Sequence, residues 1–271
     1  MRLCCALVLL GICGALPGQV RQQVFEVGAA LAAFEDKAGV VPGDVQPVDR
    51  LVRLLTRVLQ REAKAAAGQQ KVAQVVVRRA RQQVLLVQGD KESCDLVQSV
   101  LDEIGREPLP RLHLTCTVLV MPWEIAAAHR LSTSDVQEAD MGAMTSLMRD
   151  VVKQKGTLRN LPETIATPLV PFVAEPRAGG EGKPPPPKGA ENILLRGEAV
   201  AVSSEEALLS VQLVRGNRPE DRTTLPAVFD RAFRLRAGDG VTITAKNGKT
   251  ATVLWLRFTG TSTGVRKGRV V

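Results

Sequence analysis

The chain has no tyrosine, and aromatic residues make up only 3% of its 271 positions. Proteins that grip single-stranded nucleic acid stack the bases on aromatic side chains set among basic ones. Here no aromatics interleave with the arginines, so nucleic acid is not an expected partner. Histidine is nearly as scarce, with His113 and His129 alone. His113 falls on the polar face of an expected strand and reads as an ordinary exposed histidine, and His129 offers little more. No G-x-S-x-G elbow, P-loop, dinucleotide fingerprint or H-E-x-x-H run occurs. Glu163, Glu175, Asp230 and Asp239 lie in separate segments, so nothing in sequence pairs them as acid and base. No catalytic, cofactor-binding or metal-ligating set emerges, and the chain is not expected to be an enzyme. An exported hydrolase is the weakest of the readings considered. No run reaches the roughly 18 apolar residues of a membrane-spanning helix.

Cysteine is sparse too, and unevenly placed. Cys4, Cys5 and Cys13 fall in the first fifteen residues, leaving Cys94 and Cys116 beyond them. Met1-Arg2 is a minimal positive start, Leu3 to Ile12 is apolar or small, and Cys13-Gly14-Ala15 supplies small residues before Leu16-Pro17-Gly18. This is the pattern of a cleaved export signal. Lipid attachment at Cys13 fits less well, because a bulky Ile12 precedes it. Removing residues 1–15 takes away Arg2 alone, so the net charge falls from +8 to +7. An even pair of cysteines in an exported chain invites a Cys94–Cys116 disulfide. Two buried free thiols are the alternative.

What is present is most legible between residues 84 and 121. Val84–Val87 is a short apolar run closed by Gly89-Asp90. Cys94, Val97, Val100, Leu101 and Ile104 follow at helical spacing, which predicts a helix over 91–104 ending at Gly105. Leu112, Leu114, Cys116, Val118 and Val120 then alternate with His113, Thr115 and Thr117, the period-two mark of a strand. Upstream, a helix is predicted over 20–37 and a second one from an Asp49 N-cap, with a strand beginning near 72 and a hairpin tip around 78–82. Downstream, Ser134 or Asp135 is expected to cap a helix that carries Val136, Met144, Leu147 and Val151. Prolines at 162, 168, 171 and 176 deny residues 157–176 a long central strand. Residues 177–190, Gly-rich and then polyproline, read as a flexible loop. Strands are expected at 193–202 and 207–214. Asn247-Gly248 marks a hairpin over 241–258. Counting outward from it puts Ala245 opposite Thr250 and Ile243 opposite Thr252. Leu254, Leu256 and Phe258 then share the face of Val241 and Ile243, while Val253 and Trp255 take the other. A hairpin apolar on both faces must be covered twice, by this chain's long first strand at 112–121 or by a neighbouring subunit.

The passage from “VLLVQGDKESCDLVQSVLDEIG” into “RLHLTCTVLVMP” resembles the bacterial secretin family, in which a small ring-building domain ends in such a helix and runs into the first strand of the secretin domain. The segment 189–202 followed by “AGDGVTITAKNGKTATVLW” is similar as well, so the resemblance covers roughly 72–258. The family's closing Val-Pro and Ile-Pro-x-Leu-Gly signatures are not found in 259–271, which implies a reduced member rather than a working channel.

Together these give an expected α+β organisation. A signal peptide (1–15) and an N-terminal helix with connector (16–48) precede a small helix–strand–strand–helix module (49–110). A β-rich antiparallel domain with one helical insertion (111–258) and a basic tail (259–271) follow. Arg50, Arg53, Arg57 and Arg61 recur every three or four residues on the predicted second helix and form a basic stripe opposite its leucines. Arg78, Arg79 and Arg81, and Arg266, Lys267 and Arg269, make two further clusters. Such stripes are usually solvated; the functional alternative is contact with anionic lipid headgroups or an acidic envelope polymer. The expectation is an exported structural protein of the bacterial envelope that self-associates or binds envelope proteins through strand edges. The runner-up is a monomeric periplasmic accessory protein.

Overall fold

The computed structural model describes residues 21–28, 47–67, 76–81, 84–106, 108–154, 156–174, 192–216 and 227–262. The signal segment, the Pro-rich loop and residues 263–271 of the basic tail lie outside these residues; 259–262, expected in the tail, instead complete the last strand. Among the described residues the chain is α+β, with four helices and antiparallel sheets.

Hydrophobic alternation sorts these elements into layers. In the centre two sheets face each other. One has the strand order β5(Val136–Glu138), β12(Gly240–Asn247), β13(Thr250–Ser262), β4(Arg111–Pro122), β6(Thr157–Asn160), with β7(Thr164–Ala166) also paired to β4. The other has the order β11(Ala227–Arg236), β10(Glu206–Gly216), β9(Asn192–Ser203), β8(Phe172–Ala174). Leu112, Leu114, Cys116 and Val118 of β4 meet Leu195, Leu209, Leu213 and Phe233 of the second sheet, with Leu254, Leu256 and Phe258 beside them. Each such side chain, fully buried, contributes about 1.5–3 kcal/mol.

Both central sheets are also covered outside. Helices α3(Trp123–Ala128) and α4(Met141–Lys153) set Ile125, Ala126, Met144, Leu147 and Val151 against Leu119, Met121, Val253 and Trp255. On the far side α1(Pro47–Ala67) and α2(Lys91–Ile104) lie between the second sheet and a three-stranded sheet, β1(Arg21–Glu26)–β3(Val84–Gly89)–β2(Val76–Arg81). Leu51, Leu54, Leu55 and Val58 of α1 and Val97, Val100 and Ile104 of α2 share one core with Leu85, Val87, Val200 and Leu208. The small module is therefore welded to the sandwich by a continuous core. α2 has the expected bounds because both ends are signalled: the Asp90 carboxylate accepts from the Ser93 N–H, and the chain stops at Gly105.

Three expectations are corrected. The segment from Arg21 to Glu26 is a strand, not a helix, because it pairs antiparallel with β3 and buries Phe25 while exposing Val24. Val136 opens strand β5, which pairs with β12, and the following helix starts later, at Asp140, whose carboxylate accepts from the Ala143 N–H. The 241–258 hairpin forms with Ala245 opposite Thr252 and Ile243 opposite Leu254. Its two-residue loop is Gly248-Lys249, glycine first at φ 59°, so the register moves by two residues and every side chain keeps its expected face.

Candidate functional site

Each arginine of the α1 stripe is turned onto the sandwich. Arg50 is buried and its Nη1 donates to the Leu169 carbonyl at 3.4 Å. Arg53 pairs with Glu198 at 2.8 Å. Arg57 donates to Ser210 Oγ at 2.8 Å and forms a short ion pair with Asp230. Arg61 reaches Asp135 through Nε at 2.9 Å and the Val136 carbonyl at 3.3 Å. Behind Arg57 the contacts continue across three neighbouring strands, Arg196 Nε to Gln212 Oε1 at 2.7 Å and Gln212 Nε2 to Asp230 Oδ2 at 2.9 Å. Helical spacing of the cations meets acceptors on β9, β10, β11 and the loop before β5. The stripe is thus an internal clamp between the module and the sandwich, each of its four arginines having a partner within the chain.

The same junction fixes its carboxyl groups. Burial pushes the Asp135 carboxyl up, but the Val136 N–H and the Arg61 guanidinium more than offset this and hold it below the usual range. Glu62 moves the other way: its burial outweighs the nearby Arg234, and Glu206 adds to the rise.

The expected Cys94–Cys116 disulfide is not formed, and the second alternative holds. Both thiols are free and buried, but Cys94 belongs to the core around α1 and α2, and Cys116 to the core between the central sheets. Burial, with Asp90 and Asp95, raises Cys94, and burial alone pushes Cys116 up to about 12. Neither is a ready nucleophile. Among the described residues no His, Cys, Asp and Glu cluster could hold a metal ion, and no helix is long and apolar enough to cross a membrane.

The surface features that remain lie where the layers stop. β6 and β7, which both pair with β4, end one central sheet and β8 ends the other on one side of the sandwich, and β7 and β8 each expose a central apolar residue, Ile165 at 49% and Val173 at 58%. Between them runs a groove of about 370 Å³ lined by Pro162, Glu163, Ile165, Pro171 and Val173. β5 and β11 end the same two sheets on the opposite side.

One histidine is not an ordinary exposed side chain. His113 is 13% exposed; its Nδ1 lies 3.0 Å from Glu163 Oε1 and its Nε2 lies 2.7 Å from Ser262 Oγ. Its strand parity was legible, but its partners, 50 and 149 residues away in sequence, were not. His129 makes one contact, to Asp150 at 3.0 Å, and ties α3 to α4.

No family model and no curated protein matches the chain. Among solved structures it is similar to the type II secretion system secretin XcpQ from Pseudomonas aeruginosa, with 10% identity over 90% of this chain and 92% of that one, at a TM-score of 0.28. A chain of the pilotin–secretin AspS–GspD complex from ETEC is similar at 11% identity, over 89% and 75%, with a TM-score of 0.21. Similarity at this level identifies neither fold nor function.

Proposed function

We propose that this chain is an exported, secretin-like assembly protein of the bacterial envelope that acts through contact between copies and needs no turnover of its own for that role. The observation that supports it most is the pair of sheet edges that no strand among the described residues pairs with. A terminal strand leaves one row of backbone N–H and C=O groups without a ladder, a template for a further strand. On the β7/β8 side two such strands lie together, and Ile165 and Val173 add exposed apolar surface to the backbone groups. The opposite side offers β11, ten residues long, beside β5. One side of a copy can therefore meet the other side of the next, a head-to-tail contact that closes into a ring if the rotation permits. The clamp of Arg53, Arg57 and Arg61 would hold the small module in a fixed place around such an assembly.

Sedimentation velocity of the chain freed of residues 1–15 tests this reading. A concentration-dependent species larger than the monomer is expected. A monomer at every accessible concentration would overturn it in favour of a monomeric periplasmic accessory protein.

A further inference from the structure

At one end of the outer face of the β4 sheet no helix among the described residues covers the strands, and the residues gathered there go beyond an assembly role. In the ladder Gly260 stands opposite His113 and His113 opposite Ile165, so the three lie abreast on one face. Ser262 and Glu163 flank the imidazole diagonally and contact it through different nitrogens, Nε2 and Nδ1. A carboxylate only accepts hydrogen bonds. In the neutral imidazole the proton therefore sits on Nδ1 facing Glu163, and Nε2 accepts from the Ser262 hydroxyl. That is the order of nucleophile, base and orienting group in which a serine hydroxyl becomes reactive.

The surroundings suit the chemistry. A bulge between Phe258 and Gly260 takes Thr259 out of the ladder, and Gly260, at φ 122°, has no atom within 4 Å of where a side chain would begin. The space beside His113 is open for that reason. Arg111 is exposed and stands directly across from Ser262, a cation where negative charge would develop. Ile165 carries the exposed apolar surface from His113 into the groove that ends at Val173.

We propose that Ser262, His113 and Glu163 form a nucleophilic site that cleaves esters of small or short-chain acyl groups, with the acyl chain lying over Ile165. Ser262 Oγ would bond the acyl carbon as its proton passes to His113 Nε2. The ester C–O bond would then break, and the departing alcohol would take that proton. Water would repeat the steps on the acyl-serine, giving the acid and restoring the hydroxyl. Ser262 and His113 would touch the reacting atoms; Glu163 is a positioning residue that fixes the tautomer.

The test is labelling with a fluorophosphonate and hydrolysis of p-nitrophenyl acetate by the wild-type chain. The expected result is one adduct, on Ser262, abolished in Ser262→Ala and slowed at least ~100-fold in His113→Gln, the usual worth of a general base. Glu163→Gln, on a half-exposed side chain, keeps the fold and is expected to slow labelling ~10-fold or more and to change its pH profile. Wild-type protein with no adduct on Ser262, or labelling unaffected by Glu163→Gln, would overturn the proposal. Ile165 also lies on the β7/β8 docking side, so the labelling is done at a dilution where the chain sediments as a monomer; there a missing adduct overturns this site alone, and a monomer at every concentration overturns the assembly reading alone.

Discussion

The two ends of one sheet face make the most instructive comparison in this molecule. β4 and β13 pair along most of their length, and both present side chains to the same outer face. At one end that face shows Leu119, Met121, Val253 and Trp255, and helices α3 and α4 cover them. At the other it shows His113 and Gly260, and among the described residues no helix arrives. On the inner face Leu112, Leu114, Cys116 and Val118 of β4 and Leu254, Leu256 and Phe258 of β13 are apolar, because a second sheet packs on them. Period-two alternation thus reports how far the cover extends: where it stops, the outer positions turn from apolar to hydrogen-bonding residues. Polar chemistry is tolerated there because water can still reach it.

Breaking the covered end should have the largest effect. Trp255 is 8% exposed and packs with the helical layer, so its cover comes from within the chain. Trp255→Asp leaves an unpaired charge among Met144, Leu147 and Val151 and should cost several kcal/mol, up to about 5, in a monomer. Urea unfolding at low protein concentration measures it. A monomer that stays folded while only an oligomer dissociates would move the cover to a neighbouring chain.

The clamp comes next. Arg57→Ala removes two hydrogen bonds and leaves Asp230 with Gln212 alone. Because Arg57 and Asp230 are both about a third exposed, solvent screening holds the loss to about 1 kcal/mol, read as a shift in the urea midpoint.

Smaller still is the effect of Glu62, whose carboxyl is raised by burial. A folded-state value above the unfolded one means that ionisation costs more in the folded chain. That cost is absent below the unfolded value, near pH 4.5, and is incurred as the pH rises through the folded value. Glu62→Gln should therefore be the more stable protein at neutral pH and lose its advantage in acid. Asp135 works in the opposite sense. Its contribution is complete above the unfolded value, near pH 3.8, and lost as the pH falls through its lower folded value. Thermal melts across this range separate the two.

Elements signalled at both ends were legible from sequence alone. α2 had Asp90 and Gly105, and β4 had an unbroken alternation; both formed within a residue of expectation. Segments whose state depends on a distant partner were not. Val24 and Val27 fit a helical stripe, yet Phe25 and Val27 bury alternately because β3 offers an edge to pair with. Val136 likewise joined β12 instead of the helix after it. The hairpin kept its faces and lost its register, since the turn centred one residue later than Asn247-Gly248 suggested. For the site the limit is the same. Four arginines at helical spacing were plain, but that their partners were Leu169, Glu198, Asp230 and Asp135 rests on contacts 74 to 173 residues apart. Two cysteines on apolar faces suggested a bond because the helix and the strand were expected to pack on each other; instead they face different cores.

Assembly through strand edges is tested most directly by cross-linking its two sides. In the chain freed of residues 1–15, and with them Cys4, Cys5 and Cys13, Val173→Cys marks β8 and Arg231→Cys marks β11, while the thiols of Cys94 and Cys116 are buried and do not compete. The two single variants, mixed and treated with a short bismaleimide, should give a mixed dimer joined from β8 to β11 in preference to either homodimer. Val173→Lys, which changes an exposed side chain and should alter stability by less than ~0.5 kcal/mol, should abolish the larger species of the otherwise wild-type chain. Mixed dimers no more frequent than homodimers, together with an oligomer that survives Val173→Lys, would contradict the account.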